Sequence, residues 1–158
     1  MKYFVLSFLL TSQSFAANIN SGNVEAGGAF DLTFGEGYTS FTLAPDLQYF
    51  FFDKFSAGLE GYVSTFTGTK ATYGVGPKAT LYFATSDTLA PYVSLTPINF
   101  NFYPGLTLKS TSVSSGVKFF LTESVAFGPA VGWTHRYKSG AYRSRDTWSI
   151  FGVFSIHL

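Results

Sequence analysis

From Val24 to its last residue the chain alternates apolar and small polar side chains with a period of two, and nothing after the first turn of this pattern reads as a helix. The final stretch, "WSIFGVFSIHL", sets the type: Trp148, Ile150, Phe154, Ile156 and Leu158 share one parity, broken only by Gly152, while Thr147, Ser149, Ser155 and His157 take the other. A strand so apolar, ending on the last residue, needs a partner for its backbone and a cover for its apolar face. Seven earlier runs repeat the pattern. Phe30 and Leu32 oppose Glu25 and Asp31; Phe41, Leu47 and Phe51 oppose Asp46 and Gln48; Leu59 and Val63 oppose Glu60 and Tyr62; and Val75 and Leu81 oppose Lys78 and Tyr82. Run five has Val93 and Leu95 against Tyr92 and Thr96, and run seven has Val125, Phe127 and Trp133 against Ala126, Thr134 and Arg136. In run six, near 107–121, Leu106 and Leu108 have one parity and Val113, Val117 and Phe119 the other, so a bulge or a late start is expected there. Short segments rich in Gly, Ser, Thr, Asp and Asn separate the runs, which predicts eight strands in an up-and-down antiparallel meander.

The two faces have the wrong composition for a sheet in water. A wet face is usually rich in Lys and Glu, yet only 12% of this chain is charged, against 20% aromatic. The polar face is built from Gly, Ser, Thr and Ala, with a nearly balanced set of charges, Glu25, Asp31, Asp46 and Glu60 facing Lys78, Lys118 and Arg136. The apolar face is continuous and aromatic. Such an arrangement suits a sheet turned inside out, with lipid against the apolar rows and ionisable groups enclosed. A sheet in lipid must close on itself, because every backbone donor and acceptor has to be paired within the protein. Runs of this length match transmembrane strands, and bacterial single-chain barrels use even strand numbers. The chain is therefore expected to be all-β, an eight-stranded antiparallel up-and-down transmembrane β-barrel, its last strand pairing with the first near Val24 to Phe34. Aromatics gather at the run ends as two interfacial girdles, one including Tyr73, Phe100, Phe102, Tyr103, Trp133 and Trp148, the other Tyr49, Phe50, Phe51, Phe52, Phe55 and Phe127.

The opening "MKYFVLSFLLTSQSFAA" has a basic start at Lys2, a short apolar core from Tyr3 to Leu10 and a small-x-small site at Ser14-Phe15-Ala16, so residues 1–16 are expected to be a secretory signal peptide and 17–158 the barrel domain. No cysteine is present, which excludes disulfides and thiolate metal sites. With Lys2 removed the charges balance, and no global basic footprint for nucleic acid remains.

Three segments, "YFFFDKFSAGLEGYV", "LYFATSDTLAPYVSL" and "KFFLTESVAFGPAVGW", each pass from aromatics through a short acidic turn to a small residue, then Gly or Pro and further apolar positions. This resembles the recurrent hairpin of the small outer-membrane β-barrel family that includes OmpA-type and Ail/OmpX-type barrels, and the resemblance covers essentially all of 17–158. It implies the cell outer membrane of a Gram-negative bacterium, insertion by the barrel-assembly machinery, a monomer, and a structural or surface-interaction role without a cofactor. The family's last residue is usually aromatic; here it is Leu158.

An eight-stranded interior is just wide enough for side chains to fill, so Tyr62, Tyr82, Tyr92, Phe120 and Phe151 are expected to plug the lumen. Glu60 and Lys78 lie nine residues either side of Thr69 and should pair across strands. Glu25 and Asp46 are expected to be neighbours in a network neutralised by Lys118, a structural arrangement and not an acid/base pair, with Asp31 and Arg136 completing the lumenal set. His135 lies near one rim, but a deacylase-like site needs His and Ser two apart on one strand, and this stretch reads His135-Arg136-Tyr137-Lys138-Ser139; no catalytic residue and no metal site are expected. One end carries Lys70, Lys109, Lys138, Arg143 and Arg145 against Glu36 and Asp146, the other Asp53, Asp87 and Glu123 against Lys54. Because Arg and Lys suit phosphate oxygens, Lys138, Arg143 and Arg145 in the last loop are expected to contact lipopolysaccharide. A narrow pore for small solutes, a lipid A-modifying barrel enzyme and a soluble lipocalin-like binder are the competing classes.

Overall fold

The structure is a computed structural model describing residues 19–35, 38–68, 70–83, 86, 88–103, 105–140 and 143–158, with the side chains of 33–38 left aside. The leader expected at 1–16, and the charges of Glu36 and Asp87, lie outside these residues. Eight strands follow one another, β1 (Val24–Gly35), β2 (Tyr38–Phe52), β3 (Phe55–Phe66), β4 (Thr72–Tyr82), β5 (Leu89–Tyr103), β6 (Leu106–Phe120), β7 (Val125–Arg136) and β8 (Arg145–His157). Each pairs antiparallel with its sequence neighbours, and β8 returns to β1, so the sheet is a closed barrel in meander order. Short connections enforce this topology: Phe52 pairs with Phe55 around a two-residue turn in which Lys54 adopts a left-handed backbone, φ 66°.

The period of two places the apolar rows outside. Phe41, Leu43, Leu47, Leu59, Val75, Val131, Ile150 and Ile156 are exposed on the outer wall, while their strand neighbours Gln48, Thr80, Ser94, Lys118 and Ser155 are buried inside. Glycines let the walls approach and make room for rings. Tyr62 lies against Gly74 and Tyr92 against Gly116, each a direct cross-strand pair, and a Cβ on Gly74 would come within 2.0 Å of the Tyr62 ring.

Four expectations are corrected here. The parity of β6 never switches: Leu106 and Leu108 face inward with Ser110, Lys118 and Phe120, and Leu108 is fully buried. The irregularity sits instead on the partner strand, where the register of β5 against β6 slips between Thr96 and Asn99, as it does against β4 between Val75 and Ala79. An extra residue around Pro97-Ile98 hands the inward parity from Tyr92, Ser94 and Thr96 to Asn99, Asn101 and Tyr103. Tyr103 therefore belongs to the lumen, not to a girdle. Phe50 leaves its girdle without any inserted residue, because plain alternation gives it the inward parity of Gln48, and it is 0% exposed. Finally, the closing ladder is shorter than expected. It joins Glu25–Phe30 to Gly152–His157, with Val24 and Leu158 exchanging backbone hydrogen bonds at 3.0 and 2.8 Å, and among the described residues goes no further up β1.

Candidate functional site: the lumen

The lumen is built in three storeys. At the end bearing the Asp53-Lys54 turn, residues 19–23 fold across the mouth: Lys54 donates its backbone N–H to Ile19 at 3.0 Å, and Gly22 to Phe50 at 2.9 Å. Ile19 is buried with Phe50, Phe120 and Ala126. Above them Glu25, brought in by β1, meets Lys118 from β6 and Tyr82 from β4. Lys118 also donates to the Tyr82 hydroxyl at 2.7 Å and stands 5.2 and 5.5 Å from the Tyr82 and Tyr92 rings. His157 is wedged between Phe50 and Phe120, with ring centroids at 6.0 and 5.1 Å, and lies 3.9 Å from the Glu25 carboxylate. Gln48 accepts from Thr80 at 2.8 Å and Ser56 at 3.2 Å, so this floor is both packed and hydrogen-bonded.

The second storey is a cation between two acids. Lys78 lies 2.5 Å from Asp46 and 2.8 Å from Glu60, all three largely buried. Glu60 sits opposite Gly76, and Gly58 opposite Lys78, because the β3–β4 register is centred on Gly68 and not on Thr69; the pair is diagonal, within reach of a long side chain. Glu25 and Asp46 do not share a neutralising lysine. Lys118 goes to Glu25 alone, and Asp46 is held by Lys78. Between the two storeys the remaining void is about 10 Å³, at the lower limit for one water molecule.

Above Lys78 the lumen widens. A chamber of about 370 Å³ is lined by Tyr62, Asn99, Asn101, Tyr103 and Ser110, by the hydroxyls of β6, β7 and β8, and by Asp31 and Arg136. Seven residues were expected to form one lumenal network; the structure places Glu25 with Lys118, Asp46 and Glu60 with Lys78, and Asp31 and Arg136 in the chamber wall. Of the five rings expected to fill the interior, Tyr82, Tyr92 and Phe120 pack the floor or its edge, whereas Tyr62 and Phe151 line the chamber. Asn99, Asn101, Tyr103 and Leu108 were missed as interior residues, and only the bulge in β5 could have revealed the first three.

At the rim, His135 and Asp146 are cross-strand partners on β7 and β8, 2.8 Å apart. Trp133 stacks on His135 at 6.0 Å and Tyr137 meets it edge-on at 5.0 Å. Lys138, Arg143 and Arg145 are exposed on the connection from β7 to β8 and its first paired residue, at the same end as Lys70 and Lys109. Among the described residues no cluster of acids and histidines could hold a metal ion.

No protein-family model matches the chain, and no curated protein does. Among solved structures, the N-terminal β-barrel domain of Pseudomonas aeruginosa OprF is similar at 14% identity and TM-score 0.63, covering 87% of this chain and 98% of that one. A structure from the de novo design of transmembrane β-barrels is similar at 12% identity and TM-score 0.54, covering 87% and 98%. The likeness is one of architecture: the chain has the eight-stranded fold of outer-membrane β-barrels.

Proposed function

We propose that the protein is an integral outer-membrane barrel of a Gram-negative bacterium, with a structural or surface-interaction role, no enzymatic activity and a floor closed to solutes. The observation that carries this reading is the inversion of polarity on a closed sheet. Ionisable pairs are sealed within, and the outer wall exposes apolar rows far larger than the few hundred Å² that a soluble monomer tolerates. The closing ladder of Glu25–Phe30 with Gly152–His157 pairs the first and last strands through the half of the barrel that holds the buried ion pairs, where hydrocarbon would penalise open edges. The floor of Glu25, Lys118, Tyr82 and Phe50 stands across any axial path, which favours a plugged barrel over a narrow pore. The basic rim is suited to lipopolysaccharide phosphates, with Lys138, Arg143 and Arg145 as the contacting groups. Reconstitution into planar bilayers tests the first part: no unitary conductance is expected, and a reproducible ohmic channel would make the protein a pore. Thermal stability with and without lipopolysaccharide tests the second. Wild type should gain stability that Arg143→Ala/Arg145→Ala loses, and equal values for both would remove that contact.

A further inference from the structure

We infer that the chamber in the basic-rim half of the barrel is a binding site for the polar head of a single-tailed amphiphile, entered sideways through a split in the wall between β1 and β8. The inference rests on the membrane reading above. Extending the β1–β8 register upward would place Asp31 opposite Phe151 and Leu32 opposite Ile150, yet the ladder stops at Phe30 and Gly152. Above that point β1 is paired only with β2, through Gly35, and β8 only with β7, through Arg145. The consequence is visible in the side chains. Trp148 and Ile150 are each 76% exposed, more than any other large apolar residue described, because their flank toward β1 has no neighbour. Phe30, an outer-wall residue whose ring lies over Gly152, also lines the chamber, so the cavity reaches the outer surface at the foot of the split.

Three properties of the place select its occupant. The facing strand edges present backbone N–H and C=O groups that neither strand gives the other, and in hydrocarbon such groups call for a polar partner. Outside, Phe30, Leu32, Ile150 and Trp148 offer an apolar lane for one chain. Inside, Lys78 and Arg136 meet Asp31 and Glu60, with Asp46 also on Lys78, so the wall is formally one charge negative, and the buried Oδ1 of Asn99 has no hydrogen-bond partner among the described residues; the chamber therefore suits a head without net negative charge that can donate a hydrogen bond or is hydroxylated. A volume of about 370 Å³ falls in the small-ligand range. The sealed floor makes this a site and not a passage.

The test uses the barrel in phosphatidylcholine vesicles, a lysophosphatidylcholine bearing a photoreactive group on its choline nitrogen with the glycerol hydroxyl left free, the same lipid with the group at the chain end, and a tail-less glycerophosphocholine carrying the group on its choline nitrogen. Mass-spectrometric mapping is expected to find the head probe on Asn99, Asn101, Tyr103 or Ser110 and the chain-end probe on outer residues beside the split, such as Phe30 and Ile150. The tail-less probe should label the chamber at least tenfold less. Ser112→Phe or Ser114→Phe, each checked for folding by heat-dependent gel mobility, should lose head labelling and keep chain-end labelling. Head labelling confined to the outer wall, or equal labelling of the chamber by the tail-less probe, would overturn the inference. Absence of chain-end labelling on the outer wall would instead overturn the membrane reading beneath it.

Discussion

Replacing Lys118 with methionine keeps the aliphatic stem and removes the ammonium, leaving Glu25 fully buried beside a tyrosine hydroxyl and His157. Breaking a buried pair by removing one partner costs about 3–5 kcal/mol, because the remaining charge is uncompensated. Both groups here are almost entirely shielded from solvent, so little of that figure is lost to screening. At about 1.4 kcal/mol per tenfold change, Lys118→Met should lower the folded-to-unfolded ratio by roughly two to three and a half decades. Glu25→Gln on its own should cost about as much. The double variant Glu25→Gln/Lys118→Met should recover most of the loss, since an amide can still accept from Tyr82 and a buried pair replaced by neutral groups of similar volume is often close to neutral. Urea titration in lipid vesicles, followed by fluorescence of Trp133 and Trp148 and by gel mobility, gives the three values. A single-variant cost below about 1 kcal/mol, or a double variant as unstable as the sum of the singles, would refute the reasoning.

Lys78→Met should be destabilising by a similar amount, about 3–5 kcal/mol, and adding Asp46→Asn and Glu60→Gln should restore most of it in the same titration. Gly128→Ala should cost about 1–3 kcal/mol or block refolding, because the new Cβ would come within 1.8 Å of the Val117 carbonyl oxygen on the adjacent strand; gel mobility after refolding reports it. His135→Ala should change stability by less than about 1 kcal/mol, as its partner Asp146 is more than half exposed, and a larger loss would indicate a role beyond a rim ion pair.

Strand number, order, closure and outward rows were legible because all rest on one signal, period-two alternation, which a pleated backbone translates directly into two faces. Glu60 with Lys78 was legible for the same reason, since hairpin register converts sequence spacing into proximity. What alternation cannot show is an inserted residue in a strand whose neighbours are all tolerable on either face. Pro97-Ile98 in β5 is such a place, and missing it put Tyr103 outside and hid Asn99 and Asn101. Leu108 is deceptive for the opposite reason: an apolar residue inside an inverted barrel carries the parity of polar ones, and in β6 it imitates a switch of face. Partner choice among buried charges was not legible either. Glu25, Asp46, Lys78 and Lys118 share a lumen, and which lysine serves which acid depends on height along the axis, which the curvature and stagger of the closed sheet set.

The claim on which all of this depends is that the apolar rows face lipid. The chain has no cysteine, so single cysteines can be spin-labelled cleanly at Leu59, Val63 and Val131 on the outer rows and at Ser112 and Thr134 in the chamber. In vesicles, labels at 59, 63 and 131 should be relaxed strongly by oxygen, which partitions into hydrocarbon, and weakly by a water-soluble nickel chelate. Labels at 112 and 134 should show much lower access to oxygen than the outer three. Nickel access that exceeds oxygen access along the Leu59, Val63 and Val131 rows would place those side chains in water and contradict the account.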